Sequence, residues 1–171
     1  MKPLIDVQLF DGPVLIDTMD WPDDCGGECI FVGRTRGEVH PDHGALVALN
    51  YEVYEPMAMK LMAQMCLEAA QQYDAHAVRM VHSKGAVKPG EASVVIQVAT
   101  PHRSESFVAC KILIDRLKHE LPIWKRELWD RGETYVQGCC AHHPEDRKQG
   151  AMPKDALKNF VEAKGALDGS K

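Results

Sequence analysis

The stretch PHRSESFVACKILIDRLKHELPIWKREL, residues 101–128, sets a helix against an extended segment across a single proline. Phe107, Cys110, Ile114, Leu117 and Leu121 recur at alternating steps of three and four, which predicts one buried helical stripe. Lys111, Asp115 and Lys118 fall on another face. Pro101 suits the first helical turn, with Thr100 or Ser104 as its cap. Pro122 ends the helix, because proline has no N–H to donate and holds the residue before it in extended conformations. PIWKREL then runs extended. Lys118 therefore stands just before the stop and Lys125 just after it.

Working outward, ASVVIQVA at 92–99 is apolar enough for a central strand, and KPGE at 88–91 before it is a turn. AVRMVH at 77–82 is a short strand. A helix is predicted from Pro56 to Tyr73, with Ala58, Leu61, Met62, Met65 and Ala69 on its apolar face. Its methionines read as core filler. ALVALNYEVY at 45–54 alternates, with Leu46, Ala48 and Asn50 one way and Val47, Leu49 and Tyr51 the other. ECIFVGRTR at 28–36 is a strand ending in a glycine turn, VHPDHG is a polar loop, and TYVQ at 134–137 is the last strand. Several strands follow one another without a crossover helix, so the expected class is α+β with mostly antiparallel pairing. The domain is placed at 1–143. Residues 144–171 form a polar, partly mobile tail with a weak helical pattern at 154–163.

At 171 residues the chain suits one domain and a sizeable core. A net charge of -5 argues against broad nucleic-acid binding but leaves room for a local basic pocket. No apolar run reaches the ~18 residues of a membrane span. The N-terminus MKPLIDVQLFDG does not read as a signal peptide, so a cytoplasmic protein with six reduced cysteines is expected. Cys66 and Cys110 sit in apolar helical patterns and read as core.

Four constellations bear on chemistry. His102 and Arg103 open the 101–121 helix, where unpaired N–H groups and the dipole attract anions. Lys118 and Lys125 lie at its far end. The bland alternatives are an exposed loop for the first pair and a helix-end cation for Lys118. In FVGRTRG at 31–37, Arg34 and Arg36 are two apart, and Arg36 could clamp an anion through its planar fork. A hairpin arm with solvated arginines is the alternative. CCAHH at 139–143, with Cys25 and Cys29, offers zinc-type ligands, but the spacing matches no standard zinc pattern. A nucleophilic cysteine paired with a histidine is not singled out by any spacing.

These stretches resemble the catalytic (large) subunit of molybdopterin synthase. The resemblance runs from about Cys29 to Val136. It rests on F-V-G-R-T-R at 31–36, Y-E-V-Y-E-P-M-A at 51–58 and K-P-G-E at 88–91. Above all it rests on P-H-R-S-E-S-F at 101–107 followed by L-K-H-E-L-P-I-W-K-R-E at 117–127. It implies an α/β-hammerhead fold with additional antiparallel strands. It implies that two sulfurs are installed on cyclic pyranopterin monophosphate to make the dithiolene of molybdopterin. The sulfur donor would be the C-terminal Gly-Gly thiocarboxylate of a small ubiquitin-like partner. Two large subunits would form a homodimer within a heterotetramer, with no metal or redox cofactor of their own.

By the same resemblance Lys118 and Lys125 are the catalytic lysines, and Arg36, His102 and Arg103 bind the pterin and its phosphate. Phe31 and Trp124 are walls or core, and Glu127 orients a lysine or forms a surface ion pair. The sequence departs from the family in two places. His82-Ser83-Lys84-Gly85 stands where His-Arg-x-Gly is common, and GCCAHH stands where many members carry a basic residue. Those departures leave open a non-catalytic relative that only binds the small carrier subunit.

Overall fold

The computed structural model describes residues 2–17 and 20–136. The GCCAHH segment and the polar tail lie outside the described residues. Ten elements follow in order: β1 (Leu4–Asp11), β2 (Gly27–Arg34), β3 (Val39–His40), β4 (Gly44–Val53), α1 (Glu55–Gln72), β5 (Ala77–Val87), β6 (Ala92–Thr100), α2 (Arg103–Glu120), β7 (Ile123–Trp129) and β8 (Gly132–Val136). The strands form a sheet in the order β2-β6-β5-β4-β7-β8, with β1 beside β5 and β3 beside β4. The α+β class and the largely antiparallel pairing are as expected. None of the described helices is long and apolar enough to cross a membrane.

β6 is buried along its whole length, as its apolar run predicts. Val94, Ile96 and Val98 join the main core with Val78 and Met80 of β5, Met62 and Met65 of α1, and Leu113 and Leu117 of α2. Val81 and Val95 lie in a second, smaller cluster with Val14. On the same face Gln97 donates to the backbone oxygen of Asp17 at 3.3 Å. Arg79, also buried, pairs with Asp6 at 3.2 Å and with Asp17.

Three expectations need correction. β1 is an additional strand, and it is the parallel partner of β5, from Leu4 opposite Ala77 to Asp11 opposite Lys84. Its signal is present in the sequence: Ile5, Val7 and Leu9 pack on the core while Asp6 and Gln8 alternate with them. The VHPDHG loop contains β3, a two-residue arm pairing Val39 with Ala45 and His40 with Gly44. Phe107 is 61% exposed, so it is not part of the buried stripe. That stripe runs Ser106, Ala109, Cys110, Leu113, Ile114, Leu117, because the small Ser106 and Ala109 let the first turns of α2 lie close on the sheet. Pro122 stops the helix as expected: Leu121 is already extended at φ -76, ψ 137.

The start of α2 is seated by two glycines. A Cβ on Gly27 would lie 2.7 Å from both Cα and N of Arg103, and one on Gly26 would lie 2.8 Å from the carbonyl oxygen of Pro101. Gly27→Ala should therefore push the helix start away from β2. We expect a loss of about 1–3 kcal/mol, the usual range for overpacking. Urea unfolding of the two proteins measures it, and an unchanged midpoint would contradict the close approach.

Candidate active site

The five residues expected to act on substrate divide between the two ends of the fold. His102 and Arg103 are exposed at the start of α2, beside Gly27 and Thr100, which face each other across β2 and β6. Lys118 lies in the last turn of the same helix. Fifteen residues of continuous α-helix put Arg103 and Lys118 about 22 Å apart. Arg36 lies just past the other end of β2, where Arg34 pairs with Ala92. It is 87% exposed in its side chain and pairs with Glu38 at 3.3 Å. Arg34 is engaged elsewhere, donating to the carbonyl of Gly90 at 2.8 Å. Thr35 exchanges backbone bonds with Gly90 and Glu91, so FVGRTR is clipped to the KPGE turn.

Lys125 is placed by strand pairing. It lies opposite Tyr51 of β4, and Tyr51 lies opposite Gly85 of β5. Tyr51 and Ile123 belong to the main core, so the alternation of β7 turns Lys125 to that same face, at its margin. Lys125 is half-buried. On β5 the core-facing column reads Val78, Met80, His82, Lys84, changing from apolar to ionisable toward this end. His82 stands edge-on to the Tyr51 ring at 5.2 Å between centroids. Lys84 reaches Glu55 in the first turn of α1 at 2.9 Å, and that carboxylate raises the lysine's pKa. Lys118, Lys125 and Arg36 thus share one end of the fold, with His82, Tyr51 and Lys84 around Lys125.

His82, Tyr51 and the Lys84–Glu55 pair lie within stretches compared with the family above, but the sequence alone gives His82, Tyr51 and Glu55 no role in the site. A signal for His82 exists: it follows Val78 and Met80 on the core-facing parity of β5. His82 is 5% exposed, and its Nδ1 lies 2.8 Å from the carbonyl oxygen of Ser83. A carbonyl accepts only, so Nδ1 carries the proton and Nε2 keeps its lone pair. Burial pushes the imidazole pKa down to about 4. The Ser83 carbonyl works against that shift, and the nearby charge of Lys125 adds to it.

The other expected roles resolve as follows. Glu127 accepts from the Thr134 hydroxyl at 2.7 Å, and that oxygen accepts from the Trp129 indole at 2.8 Å. Glu127 therefore braces β7 against β8. Phe31 packs on the core, whereas Trp124 is half exposed on the opposite face of β7 from Lys125. Cys29 packs under α2, next to Cys110, and does not converge with Cys25. Burial pushes the Cys66 thiol up to about 12 and raises Cys110 and Cys25 as well. Cys25, Cys66 and Cys110 thus lack the lowered pKa of an activated nucleophile.

Comparison with known proteins bears on the family and the fold. Residues 10–120 match the family model described as MoaE protein. The molybdopterin synthase catalytic subunit of Arabidopsis thaliana is 35% identical over 139 residues, covering 80% of this chain and 68% of that protein. Among solved structures, molybdopterin synthase from Staphylococcus aureus superposes with a TM-score of 0.65 at 26% identity, covering 80% of this chain and 98% of the other. The complex of subunits 1 and 2 of molybdopterin-converting factor from Helicobacter pylori has a TM-score of 0.61 at 20% identity, covering 77% and 90%, a likeness of fold.

The buried imidazole sets a pH dependence of stability. The unfolded chain binds a proton at His82 near the ordinary 6.5, and the folded chain only near 4. Below 6.5 the unfolded state therefore gains protons that the folded state refuses, and stability falls as pH drops through that window. Between pH 7 and pH 5.5 the loss at this group should be about 1 kcal/mol, following the ~1.4 kcal/mol per unit of linkage. Urea midpoints at the two pH values should show a smaller drop in His82→Gln than in the parent. An equal drop would place the titration elsewhere.

Proposed function

The chain belongs to the MoaE protein family, and from that premise we propose that it installs sulfur on a pterin in molybdenum cofactor biosynthesis. The substrate is cyclic pyranopterin monophosphate. The donor is the C-terminal Gly-Gly thiocarboxylate of a small ubiquitin-like subunit, and the product is the dithiolene of molybdopterin. The chain is an enzyme subunit, working in the cytoplasm as a homodimer within a heterotetramer. The observation that carries the reading is Lys125, half-buried at the open margin of the core beside Tyr51, with Lys118 at the adjoining end of α2.

Donor and substrate phosphate are both anionic. Cations at the edge of a low-dielectric core hold and orient such groups more strongly than cations in open water. Lys125 and Lys118 are the catalytic pair, and Arg36 stands at their end of the chain to take substrate. His102 and Arg103, at the helix start, bind the pterin phosphate through charge and backbone N–H groups. Their separation of about 22 Å from Lys118 along one helix exceeds the reach of one small substrate. We therefore assign them to the lysine site of a second copy, across a two-fold axis. The Helicobacter pylori complex supports a small-subunit partner by analogy of fold.

No observation favours the non-catalytic reading. Ser83, which prompted it, is fully buried and donates to the carbonyl of Gly12 at 2.6 Å. Its replacement of the more common arginine removes no group from the lysine end, because its side chain faces away from Lys84.

Two measurements test the proposal. Dithiolene formation in single turnover, with a thiocarboxylated partner, should fall at least a hundredfold in Lys125→Ala while the unfolding midpoint stays unchanged. Wild-type turnover in that variant would refute the assignment. Arg103→Ala should also be inactive alone, yet mixing and reassembling it with Lys125→Ala should restore about a quarter of parental activity. Half of the dimers are then mixed, and one of their two sites is intact. No restoration, with mixed dimers demonstrated, would place Arg103 and Lys125 in the site of a single chain.

A further inference from the structure

At the end of the fold remote from the lysines, Asp24, Cys25 and His76 come together from two loops far apart in sequence. One ligand atom from each lies within 4.8 Å of the others. Asp24 Oδ1 is 2.9 Å from His76 Nδ1 and 4.0 Å from Cys25 Sγ. We propose that these three side chains form a binding site for a zinc-type divalent cation.

The geometry is close to one face of a tetrahedron. Zinc bonds of ~2.0 Å to nitrogen or oxygen and ~2.3 Å to sulfur set ligand atoms ~3.3–3.8 Å apart. The Asp24–His76 and Asp24–Cys25 distances of 2.9 and 4.0 Å bracket that range, and the third pair lies within 4.8 Å, so closure needs Cys25 and His76 to draw together by up to ~1.3 Å. A thiol, an imidazole and one carboxylate make a donor set for zinc rather than for magnesium or calcium, which take oxygen. The other ring nitrogen of His76, Nε2, has Asp74 Oδ1 at 3.8 Å. That distance is longer than a hydrogen bond, so Asp74 places a negative charge behind the ring and would have to draw closer to accept from Nε2–H.

The backbone on both sides is pinned. Cys25 N–H donates to the carbonyl of Pro22 at 3.1 Å, Gly26 N–H to that of Pro101 at 3.3 Å, and His76 N–H to that of Ala99 at 3.0 Å. Asp74 stands at φ 51, in the left-handed region, and so holds the turn that presents His76. The ligands come from short loops that lead into β2 and β5. Half of the Asp24 side chain faces solvent, leaving a fourth position for water or another donor. Cys25 leads through Gly26 into Gly27, against which the start of α2 is packed. An occupied site would brace the turn that carries His102 and Arg103.

The bland reading is an ordinary Asp–His ion pair beside an unrelated thiol. Cobalt(II) separates the two, because a cobalt–thiolate bond adds a charge-transfer absorption that an ion pair cannot give. The full chain, reduced and metal-free, is titrated with cobalt(II) alone, then with zinc to displace it. The proposal requires one equivalent of the thiolate band. That band must be absent in Cys25→Ser, at least tenfold weaker in affinity in Asp24→Asn, and retained in the double variant Cys139→Ser/Cys140→Ser. In the same series zinc should raise the thermal midpoint of the parent and of the double variant, but not that of Cys25→Ser. Absence of a band in the parent overturns the site. So does a band that survives in Cys25→Ser, keeps its affinity in Asp24→Asn, or depends on Cys139 and Cys140.

Discussion

The handover along β5 organises the rest of the molecule. Its first part is paired on both sides, with β1 from Ala77 to Lys84 and with β6 from Ala77 to His82. Beyond that it leaves both partners and pairs with β4 at Gly85, Ala86 and Val87. Gly85 makes the transition at φ +87, where an added Cβ would also lie 3.0 Å from Asp11 Oδ1. Above the handover, β5 is paired on both sides, and α1 and α2 pack on the sheet. Below it the helices end and the β4–β7–β8 ladder continues. The core-facing column of β5 follows that change: Val78 and Met80 are dry, His82 is buried but polar, and Lys84 reaches solvent and Glu55. A candidate site for anions belongs where the dry core stops, because cations there are partly desolvated without being sealed in.

The second constraint is the length of α2. A helix running from Arg103 to Glu120 cannot bring both of its ends to one small molecule. Its start is fixed by Gly26 and Gly27, and its end by Pro122, whose carbonyl accepts from the N–H of Tyr54 at 3.2 Å. The separation of His102 and Arg103 from Lys118 is thus built into the tertiary structure and would survive any local rearrangement of side chains. Under the assignment proposed above, the two ends of α2 can serve one small substrate only if copies associate so that unlike ends meet.

Much of this is legible in the sequence, and the failures have physical causes. The stop at Pro122, the turn at KPGE and the buried β6 follow from proline chemistry, glycine chemistry and an unbroken apolar run. β1 carries an alternating strand signal in LIDVQLF, but nothing local announces its parallel pairing with β5. Asp6 is drawn inward by Arg79, an ion pair that no local pattern announces. Hydrophobicity alone assigns Phe107 to the core, but packing against a sheet favours the small Ser106 and Ala109 as the contact surface. The lysines can be found by motif. Motifs also contain their neighbours, but not the meeting of His82, Tyr51 and Glu55, which come from three elements brought together by strand register.

Register also explains why the change at Ser83 is tolerable. On β5, Ser83 and Lys84 face opposite sides of the sheet. Ser83 points to the side closed by the 12–17 segment, where it is fully buried and satisfied by the carbonyl of Gly12. An arginine at that position would have to carry its charge out past the segment, whereas serine lets the segment close. Lys84, one residue on, keeps a cation on the core-facing side, and Glu55 fixes it against the start of α1. The lysine end therefore retains a positive group from β5 without a residue at position 83 supplying it. That group is engaged by the Glu55 carboxylate, which ties β5 to the start of α1.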